Sequence, residues 1–206
     1  MTENNSTKKA VILLSGGLDS ATTMAIAKNQ GFEYHALSVN YGQKNFAELE
    51  SAQKVVKMLG AKSHKLVNIN LQDLGGSSLT VQDMKVQNHD ATNDEIPDTY
   101  VPARNTIFLS IALGHAEIIG AYDIFYGACQ MDSSGYPDCR DVYVDAFNNL
   151  VNLATKKGVN GKNFKIHAPL LNYSKAQTIK TGTDLGVDYS QTISCYRATS
   201  DGLACG

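Results

Sequence analysis

A five-residue apolar run, Ala10-Val11-Ile12-Leu13-Leu14, passes directly into Ser15-Gly16-Gly17-Leu18-Asp19-Ser20, and this junction constrains the fold more than any other stretch. Hydrophobicity that is continuous rather than alternating over so short a span marks a strand buried on both faces, as in parallel sheets. The paired glycines then permit a tight turn whose backbone N–H groups can approach an anion with no Cβ in the way. A helix predicted over 19–29 adds unpaired N–H donors and the positive end of its dipole. Ser15 and Ser20 add hydroxyls. The dipole supplies about 0.3–2 kcal/mol, too little for a polyphosphate, so Mg²⁺ and basic side chains are required as well. The loop lacks the Lys-Ser/Thr pair of a Walker P-loop, and Asp19 would repel a terminal phosphate unless a metal intervened. Without a ligand, the same residues read as an ordinary strand-to-helix turn in which Asp19 caps the helix.

The remainder of the chain repeats the strand-then-helix pattern. Strands are predicted over 34–39, 64–69, 123–128 and 164–168, and helices over 45–59, 105–119 and 141–156. Ala52, Val55, Val56 and Leu59 share one side of the second helix, and Gly60 stops it. Ser174 with Gln177 three positions on has capping-box spacing, and Gly186 sits where that last helix should end. Such alternation implies right-handed crossovers and a doubly wound, mainly parallel sheet of about five strands in one α/β domain over 1–206. Residues 71–98 are polar and contain Gly75-Gly76-Ser77-Ser78; a stretch of that length is expected to be a lid or mobile loop.

Composition removes several function classes. A net charge of −2 offers no basic surplus for a nucleic-acid backbone. No apolar run approaches the about 20 residues of a membrane span, and the polar first nine residues lack a secretion signal, so no membrane partner and a cytoplasmic location are expected. Four cysteines are too few for a disulfide scaffold, which leaves metal or catalytic roles.

Ser15-Gly16-Gly17-Leu18-Asp19-Ser20 resembles the signature of the PP-loop ATP pyrophosphatases, which cleave ATP between the α- and β-phosphates, adenylate a substrate and hold the released pyrophosphate. Four further segments narrow the resemblance: Asn40-Tyr41-Gly42-Gln43; Tyr100-Val101-Pro102-Ala103-Arg104-Asn105; Asp132-Ser133-Ser134-Gly135-Tyr136-Pro137-Asp138-Cys139-Arg140; and Gly186-Val187-Asp188-Tyr189 followed by Ser194-Cys195-Tyr196. In this order, covering nearly the whole chain, they resemble the 7-cyano-7-deazaguanine synthase family of queuosine precursor synthesis. The resemblance implies a ligase that takes 7-carboxy-7-deazaguanine, free ammonia and ATP, passes through an adenylated acid and an adenylated amide, and ends at a nitrile. It implies a homodimer as well.

Roles follow from the resemblance and from side-chain chemistry together. Leu14, Ser15, Gly16, Gly17, Leu18, Asp19, Ser20, Val39, Tyr41 and Asn105 are expected around ATP, with Gln43 beside the adenine or ribose. Arg104, at the start of a helix, suits charge growing on the α-phosphate, and its bland reading is a surface arginine paired with Asp98. Asp19 and Lys175 complete the catalytic set, Lys175 reaching the β- and γ-phosphates from a second helix N-terminus or else standing solvated. Asp132 or Asp138 is expected to accept the paired N–H and NH₂ of a guanine-like edge, Tyr136 to stack on the ring, and Arg140 to hold the substrate carboxylate. The alternative there is an Asp-rich surface turn. The family pattern continues past Gln43 with a basic residue and His; Lys44 and Asn45 stand here, which argues against an imidazole-dependent role. His115 is expected to be a satisfied core or edge histidine.

Family likeness also implies a structural Zn²⁺ on four cysteines near the C-terminus, a site that staples a tail and does no chemistry. Cys195 and Cys205 match the first two ligands in a tail begun over 190–206, and the other two would follow Gly206. Zinc is therefore expected of a longer form, with weak or absent metal in these 206 residues. Cys129 and Cys139 have no spacing that recruits them. Other PP-loop adenylating enzymes, amide-forming or tRNA-thiolating, stay open as alternatives, as does a non-catalytic adenine-nucleotide sensor. Turnover to AMP and a nitrile separates them.

Overall fold

The computed structural model describes residues 7–43, 47–77, 79–80, 99–129 and 136–195. Five strands form one sheet in the order β3-β2-β1-β4-β5, every pair parallel: β1 Lys9–Leu13, β2 Glu33–Asn40, β3 Ser63–Asn68, β4 Asp123–Phe125 and β5 Lys165–His167. Chain order reverses at β1, which has β2 on one side and β4 on the other. The crevice beyond the carboxyl ends of β1 and β4 is thus the topological switch point, where open α/β sheets collect ligands.

The apolar run of β1 is buried on both faces, as its pattern requires. Ala10 and Ile12 pack against Ala21, Met24 and Ala25 of α1 (Leu18–Asn29) and Ala52, Val55 and Leu59 of α2 (Ala47–Leu59). Val11 packs the other way, with Leu109, Ala112 and Ala116 of α3 (Arg104–Ile119) and Val144, Phe147 and Val151 of α4 (Asp141–Leu153). Three layers result, with the doubly wound topology expected.

Most element ends shifted by a residue or two, and three departures go further. The helix predicted over 141–156 stops at Leu153, because Thr155 leaves helical backbone and its hydroxyl caps a new turn, α5 (Lys156–Val159), by accepting Gly158 N at 3.0 Å. The strand predicted over 123–128 ends at Phe125, although Tyr126 N still donates to His167 O at 3.0 Å. The stretch expected as a lid or mobile loop begins as packed chain: Leu71 and Leu79 are buried with Val39, Tyr41 and Val101. Residues 81–98 lie outside the described residues.

The final helix, α6 (Lys175–Asp184), opens with the full capping box of Ser174 and Gln177, and Gly186 follows it at φ +82°. It docks on α1. Thr22 Oγ1 and the Tyr189 hydroxyl lie 2.7 Å apart, and a Cβ on Gly182 would sit 1.8 Å from that same hydroxyl, so glycine is required there. This packing sets the start of α6 beside the start of α1.

Candidate functional site

The phosphate-loop segment leaves β1 and turns at Gly16, whose φ is +89°. It is pressed onto the backbone of α2: a Cβ on Gly16 would meet Glu48 O at 2.3 Å and Ala52 N at 2.6 Å. The hydroxyls expected to face an anion line the turn. Ser15 N donates to Ser20 Oγ at 3.2 Å, the two hydroxyl oxygens lie 3.1 Å apart, and Gly17 N donates to Ser15 Oγ at 3.3 Å. Gly17 is the N-cap of α1 and no side chain caps that helix, so Asp19 does not serve as a cap. Both carboxylate oxygens of Asp19 instead accept from Lys175 Nζ, at 3.0 and 3.1 Å, across the α1–α6 junction. The two residues read separately in the sequence are one ion pair at the mouth of the loop.

Leu14 and Val39 are core residues, Leu14 at 2% exposure with N and O tied to Leu37 O and the Ser38 hydroxyl. The Tyr41 ring is buried 5.3 Å from that of Phe108, and buried Gln43 accepts from Tyr41 N at 3.0 Å. Any part these play toward a nucleotide is therefore as a wall behind it.

The second half of the site gathers at the start of α3. Ala103, at φ +55°, precedes Arg104 and turns the chain sharply into the helix. Asn105 is the second helical residue rather than its cap: its N donates to Asp138 Oδ2 at 3.2 Å and its side-chain amide reaches Cys139 Sγ at 3.5 Å. Asp138, 6% exposed, is thereby fixed at the base of a cleft of about 370 Å³ lined by Tyr100, Thr106, Arg140 and Tyr143 among others. Arg140 is exposed at its rim and donates to Pro137 O at 3.1 Å. Tyr136 lies just behind, its hydroxyl 2.7 Å from Thr99 Oγ1 and its ring 5.8 Å from Tyr100. Asp132 and Asp98 lie outside the described residues.

Glu48 lies in the first turn of α2 with its carbonyl against Gly16, and sequence reasoning missed it. Burial lifts its carboxyl to about 7, against the pull of the Arg104 guanidinium, which favours the charged form. Glu48 thus has its backbone carbonyl packed on Gly16 and its carboxyl in the field of Arg104, whose neighbour Asn105 is hydrogen-bonded to Asp138. Burial likewise pushes the Tyr143 hydroxyl in the cleft up to about 12, so it stays a neutral donor. Gly127 was missed too: a Cβ there would lie 2.9 Å from Asp19 C, so its absence lets the chain after β4 close on the first turn of α1. The available signal was Tyr126-Gly127-Ala128, a glycine inside the strand predicted over 123–128, which marks a close backbone approach.

His115 departs from the satisfied histidine expected. Its buried Nε2 has no hydrogen-bond partner among the described residues, and burial, aided by His35 and Lys65, lowers its basicity. Among the described residues no group of three or more His, Cys, Asp or Glu side chains could hold a metal. Cys195 is half-buried beside the loop and Cys205 lies outside the described residues, so the residues described do not assemble a zinc site.

The protein-family model for "Queuosine biosynthesis protein QueC" matches residues 9–206. A 7-cyano-7-deazaguanine synthase from Methylococcus capsulatus is 57% identical over 199 residues, 97% of this chain and 88% of that protein. One from Coxiella burnetii matches with the same identity and coverage. Among solved structures, the NMN synthetase of Francisella tularensis shares the fold, with a TM-score of 0.55 and 18% identity over 94% of this chain and 68% of that one.

Proposed function

The chain belongs to the queuosine-biosynthesis family of 7-cyano-7-deazaguanine synthases, and on that premise we propose how its residues divide the work. The observation that carries this reading is the placement of the phosphate loop at the switch point after β1, with the Lys175–Asp19 ion pair at its mouth. ATP lies with its phosphates on Ser15–Ser20 and its α-phosphate toward Arg104. The acid substrate lies in the cleft, its guanine-like edge on Asp138 and its carboxylate directed back toward Arg104 by Arg140; Tyr136 and Asp132 border the ring.

A carboxylate is a poor electrophile, so its oxygen first attacks the α-phosphorus and pyrophosphate leaves. Arg104 neutralises charge building on the α-phosphate oxygens, and Lys175 exchanges Asp19 for the departing phosphates. Free ammonia then displaces AMP to give the amide. The amide oxygen then attacks the α-phosphorus of a second ATP, releasing a second pyrophosphate, and departure of AMP with loss of both amide N–H protons leaves the nitrile. Mg²⁺ accompanies ATP and would shield phosphate charge, and the released Asp19 carboxylate is a hard oxygen ligand suited to it.

Incubation with ATP, ammonia and 7-carboxy-7-deazaguanine tests this reading. Two AMP per nitrile are expected; AMP with only an amide, or no AMP, overturns it. We further propose a cytoplasmic homodimer, which sedimentation tests. Zinc is proposed only for a form continuing past Gly206, with Cys195 and Cys205 among its ligands; metal analysis of that longer form tests it, and a stoichiometry near zero there refutes it. The apolar Ile118, Leu153 and Val159, exposed at 83%, 76% and 72%, sit near the Glu117–Lys157 contact and support a protein-covered surface there.

A further inference from the structure

The Gly16–Gly17 peptide at the centre of the loop is gripped through its carbonyl by two elements outside the loop. From α2, the Ser51 hydroxyl lies 2.7 Å from both Gly16 O and Gln191 O, so its single proton is shared between a loop carbonyl and the carbonyl of the chain after α6. From the segment after α6, Ile193 N donates to Gly16 O at 3.1 Å. In a trans peptide the N–H points away from the carbonyl. With Gly16 O drawn onto Ser51 and Ile193, the Gly17 N–H is turned to the opposite side, where it meets the Ser15 hydroxyl.

That orientation needs a lock. Two adjacent glycines put little steric barrier in the way of a flipped peptide plane, and a flipped plane would present a carbonyl oxygen to an incoming anion. Ser51 is 1% exposed, so water does not compete for its bond. It occupies a position on the buried stripe of α2, four residues before Val55 and eight before Leu59, where an apolar residue would serve packing equally well. The same segment after α6 also touches the loop at a second amide, since Leu18 N donates to Ser194 Oγ at 2.9 Å.

We propose that Ser51 is a positioning residue for the phosphates, holding the Gly16–Gly17 peptide, with the Ile193 amide, so that its N–H faces the anion. The inference rests on the phosphate-loop reading above. It makes the chain around 191–194 part of the cradle although its side chains carry no charge.

Calorimetric titration with inorganic pyrophosphate tests it. Ser51→Ala is expected to bind pyrophosphate about 2- to 10-fold more weakly, as loss of one neutral hydrogen bond implies. Ser51→Cys, which keeps the volume and offers only a weak donor, should fall by a similar factor and guards against a packing artefact. KM for ATP should rise in step while KM for the acid substrate is unchanged. Unaltered pyrophosphate affinity in both variants overturns the inference, as does an equal rise in both KM values. A wild-type protein that binds no pyrophosphate overturns the phosphate-loop reading itself and this inference with it.

Discussion

Arg104 and Glu48 illustrate how two side chains share one electrostatic task. The Glu48 carboxyl is raised from an ordinary 4.5 to about 7, so the native protein holds a proton that the unfolded chain releases at lower pH. Stability from this group is therefore full below 4.5 and is lost as pH rises through about 7. Glu48→Gln should flatten the decline in Tm between pH 5 and 8 and be the more stable form at pH 8; parallel Tm profiles for the two proteins would contradict the buried carboxyl. Removing Arg104 withdraws the charge that favours ionisation, so Arg104→Ala should leave the onset of the decline in place and extend its upper end to higher pH. The same substitution is expected to lower kcat about 100- to 1,000-fold, measured as AMP release at saturating substrates. Lys175 makes the complementary case. Its pair with Asp19 is substantially exposed, 45% and 33%, and such pairs contribute about 0–1 kcal/mol. Lys175→Met should leave Tm nearly unchanged yet reduce kcat/KM for ATP about 10- to 100-fold, the worth of a charged hydrogen bond. A large Tm loss with activity intact would make the pair merely structural.

At the scale of elements, the loop depends on what it is pressed against. Gly16 has a left-handed φ of +89°, and the atoms a Cβ would strike, Glu48 O and Ala52 N, are helix backbone that cannot swing aside. Gly16→Ala should destabilise by at least about 2 kcal/mol and abolish pyrophosphate binding; a stable variant that binds normally would mean that α2 is not the platform. The sequence announced the glycines but not this contact, since a pattern along the chain reports conformational freedom and says nothing of which helix comes close. Element identity was legible for a related reason: the uninterrupted β1 run, the α2 stripe and the Ser174–Gln177 box are local signals. The break between α4 and α5 was not, because Thr155 caps a four-residue helix whose spacing continues the periodicity of its predecessor. Ser174→Ala, which removes one cap, should cost about 1 kcal/mol and loosen Lys175 one residue on, a loss visible in circular-dichroism melts.

At the scale of the molecule, the site is an assembly of chain regions far apart in sequence. Loop residues 15–20, Glu48 and Ser51, Gly127, Lys175 and the chain at 191–194 meet at the switch point beside β1. Motif reading found the members with conspicuous chemistry, such as Asp19, Arg104, Asp138 and Lys175. It passed over Ser51 and Gly127 and gave Ser194 no part at the loop, because what they contribute lies in a hydroxyl or a missing Cβ at one point in space. Because α1, α2, α6 and the segment after it all close on the loop, an anion held there binds only the assembled unit and none of its parts in the unfolded chain. Mass action then converts occupancy into global stability, about 2.7 kcal/mol at a hundredfold excess over Kd. For a chain of this size, about 2–4 °C accompanies each kcal/mol, so saturating pyrophosphate should raise Tm by about 5–11 °C. Sodium chloride at matched ionic strength should give no comparable shift, since screening acts on exposed charges without occupying the loop. Equal shifts from chloride and pyrophosphate would remove the loop from the anion site. A pyrophosphate shift that survives Gly16→Ala intact would place the anion elsewhere on the sheet.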